Sequence, residues 1–204
     1  FFHAGFDETQ GVPEDDLIAH ADWCAAEIAR HGKRMLMWID MFKNHFGIER
    51  LRALSPAIVP VEWCYDDPLP AAERYRAARI APLGLAGYNN WSRFLPDFRE
   101  GKRNIARWTT AARRMGSAGF GASQWGDDGY ENSRDLCWNL FACNAEAAWR
   151  GRAPAADFER RFQTVFHGRS LPPLRRLIEH EQTRRRIPPP ASRRLFRTPF
   201  AGLV

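Results

Sequence analysis

His3, Asp7 and Glu8 lie within the first ten residues, FFHAGFDETQ, with Gly5 between the histidine and the two acids. Adjacent carboxylates repel, and near the end of a buried strand that repulsion is costly unless a site uses it. The bland reading is a turn or a helix start, because Asp and Glu favour first turns. The chemical reading is a pair that shares acid, base and charge-stabilising work. Further along, acidic or amide side chains recur beside aromatic ones: Trp38 with Asp40, Glu62 with Trp63 and Tyr65, Tyr88 with Asn90 and Trp91, and Trp125 with Asp127. Rings beside carboxylates and amides suit sugars, whose C–H faces stack on the rings while their hydroxyls take hydrogen bonds. Any one of these tryptophans could be core; four such groups, with the Asp7–Glu8 pair as a fifth, ask for a shared position.

The elements around them supply that position. PEDDLIAHADWCAAEIARHG reads as a helix with Pro13 in its first turn, acids Glu14 to Asp16 at its positive end, and Gly32 to stop it. Leu17, Ala21, Ala25 and Ile28 give it one apolar face. RMLMWID reads as a buried strand, GIERLRAL as a short helix, and AIVPVEWCY as the next strand. AAERYRAARIA is helical, LGLAGYNNW is a strand, REGKRNIARWTTAARRMG a helix, and AGFGASQWGDDG a strand end. SRDLCWNLFACNAEAAWRG closes the series as an apolar helix. Alternating strands and helices predict an α/β fold with a parallel sheet. Each aromatic–polar group then falls at the C-terminal end of a strand. In a (β/α) barrel those ends meet at one mouth, where active sites sit.

At 204 residues, 45% hydrophobic and with eight tryptophans, the chain can bury a real core. No apolar run has the length of a membrane span. Cys24, Cys64, Cys137 and Cys143 form no CxxC pair and read as buried thiols. The net charge of +6 is uneven: residues 1–150 carry 18 Lys/Arg against 20 Asp/Glu, and residues 151–204 carry 12 against 4. The basic end, TRRRIPPPASRRLFR, lacks a nucleic-acid recognition motif and reads as a solvated terminal helix and extension. The compartment stays open, since the chain starts without Met, inside what reads as a strand end.

The residues His3-Ala4-Gly5-Phe6-Asp7-Glu8 resemble the His-x-Gly-Gly-Asp-Glu motif of glycoside hydrolase family 20, the β-N-acetylhexosaminidases, with Phe6 in place of the second Gly. RMLMWIDMF resembles that family's fifth-strand segment and VPVEWCYDD its sixth. GYNNW resembles the seventh-strand Tyr-x-Asp with Asn90 for the acid, and SQWGDD the eighth-strand Trp-x-Glu with Asp127 for Glu. The likeness spans residues 1 to about 150 in the family's order. It implies a (β/α)8 TIM-barrel type fold, represented by roughly strands 4 to 8, with residues 1–152 as the C-terminal portion of the catalytic domain. Residues 153–204 would be basic terminal helices and an extension. An open half-barrel exposes edges and interior, so the resemblance also implies a longer polypeptide that supplies the missing N-terminal barrel half, or two copies associating.

The family's mechanism is the substrate-assisted exception among retaining glycosidases. By this resemblance Glu8 is the general acid and then base, its pKa expected to be raised by Asp7. Asp7 holds and stabilises the 2-acetamido group that attacks the anomeric carbon, and Tyr88 donates to the acetamide oxygen. Trp38, Trp63, Trp91 and Trp125 wall the sugar; Asp40, Asn90 and Asp127 bind hydroxyls or support Tyr88; His3 supports the site by hydrogen bonding. The expected substrate is a terminal N-acetylglucosamine or N-acetylgalactosamine, with no metal or organic cofactor and no nucleic-acid or membrane partner. Two other readings stand beside it: a carbohydrate-binding fragment without catalysis, and a metal-dependent hydrolase using His3, Asp7, Glu8 and Asp40 as ligands.

Overall fold

The computed structural model describes residues 1–88, 90, 96–126, 134–172 and 176. Of the expected site residues, Trp91 and Asp127 lie outside these, as does the basic stretch beyond residue 176. The chain packs as two units, residues 1–86 with 107–121, and residues 87–106 with 122–204.

Five strands, β1 (Phe2–His3), β2 (Met35–Trp38), β3 (Ile58–Trp63), β4 (Leu83–Gly87) and β5 (Phe120–Ser123), form one sheet in the order β1-β2-β3-β4-β5. The pairings are parallel, with Phe2 beside Met35, Met35 beside Ile58 and Val61 beside Leu83. Helices α1 (Glu14–Arg30), α2 (Leu69–Ala77) and α3 (Phe98–Met115) lie on the connections, which makes the fold α/β and compatible with part of a barrel wall.

In the first unit, α1 forms where the sequence predicts it. Three acids occupy its first turn, and Leu17, Ala21 and Ala25 are buried. Gly32, at φ +66°, ends it by donating to the Ala29 carbonyl at 2.9 Å. The link from β2 to β3 differs from expectation. A π-helical turn, Phe42–Phe46, comes first, and the helix expected over GIERLRAL is a 3-10 helix, Ile48–Ala53. Pro56 forces its neighbour out of helical space, so there is no room for a longer helix before β3. Helix α2 begins two residues earlier than predicted, because Pro70 falls in the first turn, where no N–H is needed. It ends early as well, since Arg79 turns left-handed at φ +54°.

Met35, Met37, Ile39, Tyr75 and Trp108 are at most 1% exposed and form the centre of this unit. Trp108 lies so close over β4 that a Cβ on Gly84 would come within 2.4 Å of its ring. Its Nε1–H donates to the Cys64 carbonyl at 2.9 Å, fixing α3 against the end of β3.

In the second unit, α4 (Trp138–Arg150) and α5 (Phe158–His167) are joined through Glu146. Its carboxylate accepts the Ala155 N–H at 2.9 Å and bonds to Arg150 and Arg161. The backbone N–H, with the two guanidiniums, holds its pKa down at about 2. Gly151, at φ +61°, closes α4 where the sequence places the end of this helix. None of the four cysteines is in a disulfide, and no helix among the described residues is long and apolar enough to cross a membrane.

Candidate functional site

The first unit gathers His3, Asp7, Glu8, Trp38, Asp40 and Trp63 at the C-terminal ends of β1, β2 and β3. Beyond His3 the ladder continues for one more step: the Ala4 N–H reaches the Leu36 carbonyl at 2.9 Å, and the Trp38 N–H reaches the Gly5 carbonyl at 2.9 Å. The chain then turns through left-handed backbone, with φ +84° at Gly5, +81° at Phe6 and +53° at Glu8. A bulky residue in that region is strained by about 1–3 kcal/mol and persists only where its surroundings over-determine it. Here the surroundings are the Gly5 ladder bond, the Phe6 ring 5.5 Å from His20, and a bond from the Glu8 N–H to Asp40 Oδ2 at 2.9 Å. The Asp7 and Glu8 side chains are themselves exposed.

His3 stands against Trp38, with ring centroids 4.3 Å apart, and its Nδ1 accepts the Gly5 N–H at 3.1 Å. That bond assigns the proton of the neutral ring to Nε2. Desolvation lowers the His3 pKa below its usual 6.5, against the opposing pull of Asp7. Asp40 is 3% exposed, and its Oδ1 has no hydrogen-bond partner among the described residues.

At the end of β3 the structure gives Glu62 two partners, Lys43 and Tyr75, that the sequence reading did not bring to it. Glu62, 1% exposed at the end of β3, accepts from Lys43 Nζ at 2.6 Å and from the Tyr75 hydroxyl at 2.7 Å. Lys43 comes from the π-helical turn. Its ammonium also reaches the Trp63 carbonyl at 3.3 Å and stands 5.1 Å from the Trp63 ring centroid. Trp63 stacks on Tyr65 at 5.2 Å. Burial pushes the Glu62 pKa up; Lys43 and the Tyr75 bond pull it back, and nearby Asp40 adds to the rise. The signal was present in the sequence, since Glu62 ends an apolar strand and Lys43 follows MF after Asp40, but a lone lysine reads as solvated until its partner is seen.

In the second unit, Asn90 and Trp125 come together: Asn90 is fully buried and its Nδ2 donates to the Trp125 carbonyl at 3.1 Å. Tyr88 is fully buried, edge-on to Phe141 with centroids 4.7 Å apart, and its hydroxyl has no partner among the described residues. Desolvation, reinforced by the nearby Cys143 and Cys137 thiols, raises its pKa far above the ordinary phenol value, so it stays a donor. Among the described residues no group of three or more His, Cys, Asp or Glu side chains could hold a metal ion. His3, Asp7, Glu8 and Asp40 therefore do not converge as a ligand set.

Comparison with known proteins adds no family: no family model matches the chain, and no curated protein matches it.

Proposed function

We propose that the chain is a glycosidase of the β-N-acetylhexosaminidase type, resembling family 20, with β1 to β5 as strands 4 to 8 of a (β/α)8 barrel. The observation that carries this reading is the backbone at Gly5 and Phe6. Both are left-handed, at φ +84° and +81°, the conformation a Gly-Gly pair before Asp-Glu would serve. The chain adopts a glycine-type turn with Phe6 at its second position.

In this reading Glu8 protonates the leaving oxygen and then takes a proton from water. Asp7 accepts the acetamide N–H, holds its carbonyl in line with the anomeric carbon, and stabilises the oxazolinium charge. Tyr88 supplies its unpartnered buried hydroxyl to the acetamide oxygen, as expected of a donor without an acceptor. Trp38, Trp63, Trp91 and Trp125 stack the sugar, and Asn90 and Asp127 take polar contacts. Phe2, 56% exposed on the edge strand β1, and Phe1 just before it, 75% exposed, support a further wall, from the same polypeptide or a second copy, that covers this edge.

The exposure of Asp7 and Glu8 favours one second reading, a carbohydrate-binding piece without turnover, because catalysis needs water excluded from the acid pair. Release of 4-nitrophenol from its N-acetylglucosaminide, N-acetylgalactosaminide and glucoside separates the two. The enzyme reading predicts hydrolysis of both acetamido sugars over the glucoside. It also predicts that Glu8→Gln cuts turnover of substrates with poor leaving groups by roughly 10²–10⁴-fold. Sugar binding without hydrolysis, in a protein that includes the covering wall, selects the second reading.

A further inference from the structure

Asp40 is a carboxylate closed to solvent, at 3% exposure, between Ile39 at 0% and Met41 at 4%. Burying it is costly, and one accepted N–H repays only part of that cost. Among the described residues its side chain accepts one hydrogen bond, from the Glu8 backbone 32 residues away, at 2.9 Å. That N–H sits at the last of three left-handed residues in the turn. The remaining oxygen, Oδ1, is buried and has no such bond.

We propose that Asp40 is a positioning residue for the Asp7–Glu8 turn, acting through the Glu8 backbone rather than through contact with the sugar. The turn is strained, and Asp40 is the side-chain acceptor that fixes its far end; the Gly5 carbonyl, bound by the Trp38 N–H, fixes the near end. Together they set the direction of the acid pair from β2. The catalytic part of this proposal rests on the reading of Glu8 as the acid; the structural part does not.

The test compares Asp40→Ala with Asp40→Asn, whose amide oxygen still accepts the Glu8 N–H. Positioning predicts that Asp40→Ala lowers kcat by about 10²-fold with KM nearly unchanged, and that Asp40→Asn recovers most of the loss. A rise in KM in both variants with kcat retained overturns it, because that is the signature of a lost hydroxyl ligand. Amide hydrogen exchange at Glu8 gives a readout independent of activity and of the Ala variant's folding. Slow exchange in the unaltered protein and in Asp40→Asn supports the hold on the turn; fast exchange in the unaltered protein overturns it. Slow exchange without any hexosaminidase activity would discard the enzyme reading and leave the hold on the turn standing.

Discussion

The Glu8 backbone N–H donates to Asp40 Oδ2 at 2.9 Å, tying the turn after β1 to the end of β2. Through this bond a buried residue just past β2 meets the backbone of two exposed carboxylates, and testable consequences fall on the backbone, the core and the titration around them.

The backbone consequence falls on Phe6. At an ordinary position Gly is less stable than Ala by roughly 0.5–1 kcal/mol. At φ +81° the order should reverse. Phe6→Ala removes the ring from His20 and keeps the strain, while Phe6→Gly loses the ring and releases it. Urea unfolding should place the Gly variant above the Ala variant by about 1 kcal/mol; the ordinary order would mean that the turn is relaxed.

Lys43 carries the core consequence. Lys43→Met leaves Glu62 buried with Tyr75 as its one remaining hydrogen-bond donor among the described residues, and removing one partner of such a pair costs about 3–5 kcal/mol. Adding Glu62→Gln should restore much of that, because the uncompensated charge is gone. Equilibrium denaturation of the single and double variants measures the coupling, and simple additivity would contradict the pairing.

His3 makes the turn sensitive to pH. Its folded pKa lies below 6.5, so the folded state binds fewer protons than the unfolded one. The stability it contributes is present above pH 6.5 and is lost as pH falls toward the folded value. Protonation also turns Nδ1 into a donor facing the Gly5 N–H, 3.1 Å away. The His3 ring resonances should titrate below 6.5, with the Gly5 amide shifting in step. An independent Gly5 amide would refute the bond.

Glu146 should set an acid limit on the α4–α5 pair. Its carboxylate is held at about 2 against an ordinary 4.5, so its contribution is present above pH 4.5 and is lost as pH falls through about 2. Melting curves of the unaltered protein should show a slope across that window that Glu146→Gln flattens. An equal slope in both would assign the effect to other carboxylates.

Much of this fold is legible in the sequence because its signals are local. The acids of α1, its Gly32 stop and the apolar runs of β2 and β3 each speak for their own segment. Strand ends follow from the same runs, which put Trp38 and Asp40 at the end of β2 and Trp63 at the end of β3. What stayed hidden depends on partners far along the chain. The π-helical turn at Phe42–Phe46 has no composition of its own, and Lys43 becomes part of the site only through Glu62, nineteen residues away. Asp40 looked like a ligand for sugar because a carboxylate at a strand end is usually open; its burial is a tertiary fact. The side-chain bulk of Phe6 likewise concealed a glycine-type conformation.

The central claim is that Asp7 and Glu8 serve an attack by the substrate's own acetamide. Binding of a thiazoline analogue of N-acetylglucosamine, a stable mimic of the oxazolinium ion, measures this most directly by calorimetry. The account predicts binding at least about 10²-fold tighter than N-acetylglucosamine itself, with the advantage lost in Asp7→Ala. Equal affinity for the two ligands, or an advantage that survives Asp7→Ala, would contradict it.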